Sequence, residues 1–334
     1  MEKDILKKPR KNFLADFLTK WGILLTIAVM LVGFSIGLPV FMTVSNMITI
    51  IRAVCIVTII ATGMTVALSV NGIDLSVGST ATFANTICMT FFIWHIWGTS
   101  YVGLIASIVL TIVACLAVAA INALLIVWMK IPDLLATLAT LFMIEGAAMT
   151  YAGGGAITEN MVRPDGATAL GRVPPIFRTM GREPWIIIIM LVLVLFVFLF
   201  MTYTKHGRYM YAVGDNAEAA RLSGINVKKY KTLAYAMCSV LAAIGGMIIG
   251  ARVGNAQINS GAGYLMGAVA AAHIGISVAG VGKPNALGTL AAAILIGILQ
   301  NGLIMAAVPY YAVNIFMGAI LAIALALNYF QKKI

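Results

Sequence analysis

Apolar residues fall in long runs along this chain, and polar residues gather in short breaks between them. Runs of spanning length cover Trp21–Phe41, Val44–Val70, Ser79–Trp97, Tyr101–Met129, Leu134–Ala152, Trp185–Thr204, Thr232–Ala251, Tyr264–Val281, Leu287–Ala307 and Tyr310–Tyr329. A run of about 20 apolar residues crosses a bilayer as a helix. The pattern therefore predicts an all-α polytopic membrane protein with about ten transmembrane helices. The eighth run is short and rich in Gly and Ala, so it is expected to be either full or re-entrant. Five runs lie on each side of Arg182. An odd number per half would invert one half relative to the other, as in many transporters. Whether these are inverted five-helix halves stays open at this stage.

Composition agrees with lipid. Hydrophobic residues make up 62% of 334 and charged residues 10%, with a mean hydropathy of +1.02. A soluble domain carries about 25% charged residues. The net charge of +11 lies mostly in short loops beside apolar runs, without the basic stripe and interleaved aromatics of a nucleic-acid binder. With ten spans and both termini inside, sixteen Lys and Arg fall on the cytoplasmic side and six outside. That asymmetry follows the positive-inside rule. Residues 1–20 then form a cytoplasmic segment before a retained first span. Residues 153–184 form a long outer loop, and 205–231 a cytoplasmic island. No composition shift divides 1–334, which reads as one domain.

The four cysteines, Cys55, Cys88, Cys115 and Cys238, lie inside apolar runs without CxxC spacing, and are expected to be buried thiols. No His or carboxylate stands at metal-ligand spacing, and no metal site is expected. The chain has no GxxxxGK[ST], so any ATP hydrolysis would need a separate protein. Neither a nucleophile–base pair nor a hydrolase motif points to an enzyme.

The island reads KHGRYMYAVGDNAEAARLSGINVKKYK from Lys205 to Lys231. Asp215 followed by Glu218 has capping-box spacing, and Gly224 stands where a helix would end. A helix over Asn216–Ser223 is expected. It is too short to persist alone in water, and so points to a lever that engages something outside the bilayer. Within or beside the spans, Asn71, Asp74, Ser76, Asn122, His273 and Asn301 are candidates for a polar translocation path. Asp74 is placed at the membrane edge, either capping the third helix or facing a cavity. Glu145 is expected to pair with Arg52 or Arg252. Asn255, Gln257, Asn259 and Gln300 extend the set of amides, which suit hydroxyl-rich solutes because they both donate and accept.

Four stretches carry a resemblance. GIDLSVGS at Gly72–Ser79, PDLLATLAT at Pro132–Thr140, GRYMYAVGDNAEAARLSGINVKK at Gly207–Lys229 and GKPNALGTLAAAILIGILQNGL at Gly282–Leu303 resemble the permease subunit of ribose/galactose-type ABC importers. The resemblance runs through nearly the whole chain. It departs at Leu265–Ala270 and Gly275–Ala279, where the family's ELDAIA and GGTSL pieces are replaced. It implies a multi-pass permease of a bacterial cytoplasmic (inner) membrane, importing a monosaccharide or small polyol. The implied partners are a cytoplasmic ATP-binding-cassette subunit, an extracytoplasmic sugar-binding protein and a second permease copy, in a homodimer or a paralogous heterodimer. ATP and Mg would sit on the ATPase, with no cofactor on this chain. Gly214, Asp215, Asn216, Glu218, Arg221 and Gly224 would form the coupling segment. The alternative is an ion-coupled secondary transporter using Asp74 and Glu145. ATP dependence of uptake separates the two.

Overall fold

A computed structural model describes residues 13–278, 282–309 and separate positions between 312 and 322. In hydrocarbon the backbone must satisfy its own polar groups, so apolar runs become helices. The chain forms α1 (Phe13–Gly37), α2 (Val44–Leu68), α3 (Val77–Ile93), α4 (Tyr101–Ala123), α5 (Asp133–Tyr151), α6 (Pro175–Met180), α7 (Trp185–Tyr203), α8 (Lys205–Asp215), α9 (Ala217–Leu222), α10 (Val227–Val253), α11 (Ala262–Ser277) and α12 (Ala286–Met305). One π turn, Leu124–Trp128, prolongs α4. Strand pairing among the described residues is limited to isolated bridges, Ile157 with Ala256 and Val162 with Thr168.

Nine of the ten predicted runs coincide with α1–α5, α7 and α10–α12. The tenth, Tyr310–Tyr329, lies mostly outside the described residues, and residues 1–12 lie wholly outside them. Among the described residues six helices are long and apolar enough to cross a membrane: α2, α4 with its π turn, α5, α7, α10 and α12. By contrast, α3 has 17 residues and α11 has 16. At 1.5 Å per residue they reach about 25 Å, short of the ~30 Å hydrocarbon core.

The core forms where α2 and α10 lie side by side. Helices α3 and α4 pack on α10, while α11 and α12 pack on α2. Exchanging α2 with α10, α3 with α11 and α4 with α12 reproduces this set of neighbours. Small residues bring α3 and α10 together. A Cβ on Gly246 would lie 2.1 Å from the Ala81 carbonyl oxygen, and one on Gly250 would lie 2.3 Å from Asn85 Oδ1. Glycines four residues apart recur at Gly33–Gly37, Gly246–Gly250 and Gly263–Gly267, and the Gly246–Gly250 step is a packing seam. Gly33, Gly37 and Gly263 meet no atom within 4 Å. Gly246→Val is expected to force α3 and α10 apart, at a cost of about 3 kcal/mol or more. The check is loss of the monodisperse peak in detergent size-exclusion chromatography.

Contacts sort the loops into two ends. At one end Gly171 packs on Phe92 and Ile93, Gly254 on Arg178, and Ile157 pairs with Ala256. At the other end Gly214 packs on Ser69, Tyr235 bonds Asp133, and Lys283 bonds Asp215.

Candidate functional site

The polar island is helical almost throughout, and α8 was not foreseen within it. Thr204 caps α8, accepting from Gly207 N–H at 3.1 Å. Gly207, Met210 and Val213 are buried at i, i+3 and i+6, so α8 lies on the bundle by one face. Gly214 touches the end of α2, where a Cβ would stand 2.2 Å from the Ser69 carbonyl oxygen.

The expected capping box is corrected by the structure. Asn216, not Asp215, caps α9; its Oδ1 accepts from Glu218 N–H and Ala219 N–H, both at 3.0 Å. The cap must have extended backbone, and Asn216 has it at φ −157°. Asp215 is the last residue of α8, and its carboxylate accepts from Lys283 Nζ at 3.1 Å. Glu218 does not reach back to a cap. It accepts from Arg221 Nε at 3.1 Å, and that guanidinium holds its carboxyl below the usual range.

The far end of α9 is as expected. Ile225 N–H bonds the Ala220 carbonyl and Gly224 N–H the Arg221 carbonyl, both at 3.0 Å, with Gly224 at φ +81°. This pair of bonds is a Schellman motif. Ala220 is 4% exposed and packs inward, whereas Leu222 is 77% exposed. Six residues thus dock by one small side chain and present Leu222, Glu218 and Arg221 outward. Behind the turn a cavity of about 430 Å³ lies among Tyr209, Gly224, Asn226, Lys229 and Tyr230.

The second group of candidates lies between α2 and α3. The chain leaves α2 at Leu68 and turns back into the bundle. Asn71 takes φ +56°, a conformation Asn tolerates. Gly72 passes Tyr235 so closely that a Cβ would stand 2.7 Å from its hydroxyl. Asp74 is fully buried. Its Oδ1 accepts from Ser76 N–H at 2.9 Å and from the Ser76 hydroxyl. Asn122 Nδ2 donates to Ser76 Oγ at 2.9 Å and stands 3.5 Å from Asp74 Oδ1. The Cys238 thiol of α10 lies beside Asp74, whose Oδ2 accepts no hydrogen bond among the described residues.

Asp74 accepts the Ser76 amide just before α3, as the capping alternative expects, and its neighbours stand back from the helix ends. Asn122 lies six residues before Trp128, about 9 Å in from the end of the π turn. Cys238 lies eleven residues into α10, about 16 Å from its start. A second dip answers the first. Residues 254–261 descend from the opposite end, and Gly261 N–H donates to Thr82 Oγ1 at 2.9 Å. Asn85 Nδ2 donates to Ser260 Oγ at 3.1 Å. A Cβ on Gly78 would lie 3.3 Å from the Gly261 carbonyl oxygen. The first turns of α3 and α11 therefore meet inside the bundle, the arrangement of discontinuous helices in transporters.

Asp74, Ser76 and Asn122 come together; the other path candidates do not join them. Asn71 is exposed at one end of the bundle. On α12, Asn301 Nδ2 donates to Asn46 Oδ1 at 2.9 Å, tying α12 to α2. His273 is buried on α11 and its Nδ1 lies 2.9 Å from the Val269 carbonyl of its own helix. Among the described residues no three His, Cys, Asp or Glu side chains group closely enough to hold a metal ion. The four cysteines are free and buried.

The expected pairing of Glu145 is also corrected. Arg52 forks onto Glu183, with Nη2 2.8 Å from Oε2, and holds that carboxyl below its usual range. Glu183 stands in the loop beside the end of α2 that carries Arg52, whereas Glu145 is partly exposed on α5. Arg252 lies beside Tyr264. In the 153–184 loop, Arg163 pairs with Asp165 at 3.1 Å and Arg178 with Glu159 at 2.8 Å. Arg172 and Arg182 are exposed and in no ion pair among the described residues.

Residues 46–325 match the family described as "Branched-chain amino acid transport system / permease component". The ribose import permease protein RbsC of Escherichia coli (strain K12) is 30% identical over 323 residues, 96% of either chain. That of Bacillus subtilis (strain 168) is 30% identical over 339 residues, covering 100% of this chain and 99% of its own. The autoinducer 2 import system permease protein LsrD of Photorhabdus laumondii is 29% identical over 271 residues, 80% of this chain and 78% of its own. No solved structure matches the chain.

Proposed function

The chain belongs to this family, as a permease of the ribose/galactose-type ABC importers, and on that premise we propose the finer reading. It is the membrane-spanning subunit of an ATP-driven importer for a monosaccharide or related small polyol. Solute arrives from an extracytoplasmic sugar-binding protein, and a separate ATP-binding-cassette subunit hydrolyses ATP with its Mg. A second permease copy, identical or paralogous, completes the pathway. The whole of 1–334 acts as one transmembrane domain of a bacterial cytoplasmic membrane, with ten spans and both termini inside.

The observation that carries this reading is α9. A six-residue helix, capped at both ends, displays Leu222, Glu218 and Arg221 at the end of the bundle. Its base is pinned to α2 through Gly214 and Ser69. Such a helix transmits force when something grips its outer face. The ion-coupled alternative relies on Asp74 and Glu145. Asp74 is fully buried, and its hydrogen-bond partners Ser76 and Asn122 include no second carboxylate to pass a proton on.

Reconstitution with a candidate ATPase and binding protein tests the proposal. Uptake of radiolabelled ribose, xylose or galactose is expected only with ATP inside the vesicles. Uptake driven by a proton or sodium gradient without ATP would overturn it. Topology has its own check: an impermeant maleimide applied outside should label a Cys at Asp165 and miss one at Asn216.

The loop arginines separate into two classes. Arg163 and Arg178 are bound within the loop, which leaves Arg172 and Arg182 to meet acidic groups on the binding protein. Rim charges chiefly set encounter rate, and salt screens them. Replacing both with Glu is expected to lower binding-protein-stimulated ATP hydrolysis about tenfold at low salt, and less at high salt. Unchanged stimulation at low salt would remove these two residues from the docking surface.

A further inference from the structure

We propose that the turn Lys283–Asn285 is a second mechanical link between the coupling segment and the bundle, with Asp215 and Tyr211 as the positioning residues that grip it. The proposal rests on the ATP-driven reading above and adds a route for the motion. Two side chains of α8 hold the turn. Asp215 accepts from Lys283 Nζ at 3.1 Å, and the Tyr211 hydroxyl donates to the Pro284 carbonyl at 2.6 Å. Lys283 Nζ also stands 5.8 Å over the Tyr211 ring. Three interactions thus converge on two adjacent residues.

The turn in its own right clamps two helices. Asn285 Oδ1 accepts from Gly288 N–H at 2.6 Å, capping α12. Asn285 Nδ2 donates to the Gly275 carbonyl at 3.0 Å, near the end of α11. Gly275 and Thr289 touch through their backbones, since a Cβ on Gly275 would lie 2.6 Å from Thr289 N. At its other end α11 meets α3 through Gly261 and Thr82, and Ser260 meets Asn85.

A continuous series of contacts therefore runs from α9 through α8, the turn and α11 to α3. A 16-residue helix moves as a rod, so a push at Ser277 is felt at Ala262. The Asp215–Lys283 pair is exposed, and exposed pairs add little to stability. Its role here is directional: it decides which part of the bundle follows α9.

The experiment places a reporter thiol at Ala262, which is exposed at the start of α11, while the native cysteines are buried. The complete chain, assembled with its ATPase in vesicles, is labelled from outside with an impermeant maleimide. Labelling is compared without nucleotide and with ATP plus vanadate. With Asp215 and Lys283 in place, nucleotide is expected to change the labelling rate. Asp215→Lys is expected to reduce that change at least fivefold, with the ATPase still co-purifying. The exchanged pair, Asp215→Lys with Lys283→Asp, is expected to recover at least half of it, and Tyr211→Phe to weaken it in the same direction. A full nucleotide response from Asp215→Lys overturns the link. So does loss of the ATPase from the Asp215→Lys complex, which would assign Asp215 to the ATPase-docking surface. If nucleotide has no effect with the native pair present, the ATP-driven reading itself fails and takes the link with it.

Discussion

Gly224→Val is expected to abolish ATP-driven uptake while the protein still inserts and folds. Gly224 holds φ +81° at the turn after α9, and no atom lies within 4 Å of where its Cβ would stand. Space is therefore not the constraint; backbone conformation is. The left-handed region costs a residue with a Cβ about 1–2 kcal/mol, and a β-branched one more. The Schellman bonds from Ile225 and Gly224 depend on that conformation. A six-residue helix has no stability of its own to draw on. Valine should release the turn, lift Ala220 from its seat and let α9 point elsewhere. Uptake is expected to fall below about a tenth of normal, with melting of the spans unchanged. Gly224→Asn should be milder, because Asn enters the left-handed region more easily. Normal uptake by the valine protein at normal expression would strip α9 of its mechanical role.

Asp74→Ala is expected to produce the largest loss of stability among single polar substitutions. The carboxylate is fully buried, and its Oδ1 receives the Ser76 amide and hydroxyl with Asn122 alongside. Alanine leaves these donors buried with no acceptor at that position, at about 1–3 kcal/mol for each group stranded. A total near 3 kcal/mol is a large part of a typical folding free energy. The expected readouts are a lower melting temperature in detergent and a reduced yield of monodisperse protein. Asp74→Asn keeps an oxygen where Oδ1 stands and should lose less. If the alanine protein melts like the parent, the cluster carries no structural weight.

What the sequence disclosed follows from where its signals are local. The span Val44–Val70 ends two residues from the observed Leu68, and Trp185–Thr204 one residue from Tyr203, because long apolar runs have sharp polar edges. Gly224 was legible because a C-terminal glycine has a local cause. The capping assignment missed by one residue: Asp215 and Asn216 are both good caps, and only the backbone distinguishes them. Helix α8 left a signal in Gly207, Met210 and Val213, obscured by the charged residues among them. The short α3 and α11 were foreshadowed by glycines, but their depth depends on contacts such as Thr82 with Gly261, 179 residues apart. The Arg52–Glu183 fork spans 131 residues, and its carboxylate lies in a loop where no apolar run marks it out. Lys283 lies 68 residues from Asp215, with no periodicity to connect them.

The two dips of backbone, one from each face, change what a permeating molecule experiences. The barrier to a hydroxylated solute is the thickness of low-dielectric material it must cross without partners, and desolvation grows with that thickness. Here the loops at 69–76 and 254–261 carry peptide dipoles inward until they meet at Gly78 and Gly261. On the proposed import reading, a solute passing beside them would find backbone partners part of the way across, and would cross less low-dielectric material than in bare bilayer. Leak resistance then depends on a few small side chains at that meeting point, and bulk added there would alter permeability before it altered affinity.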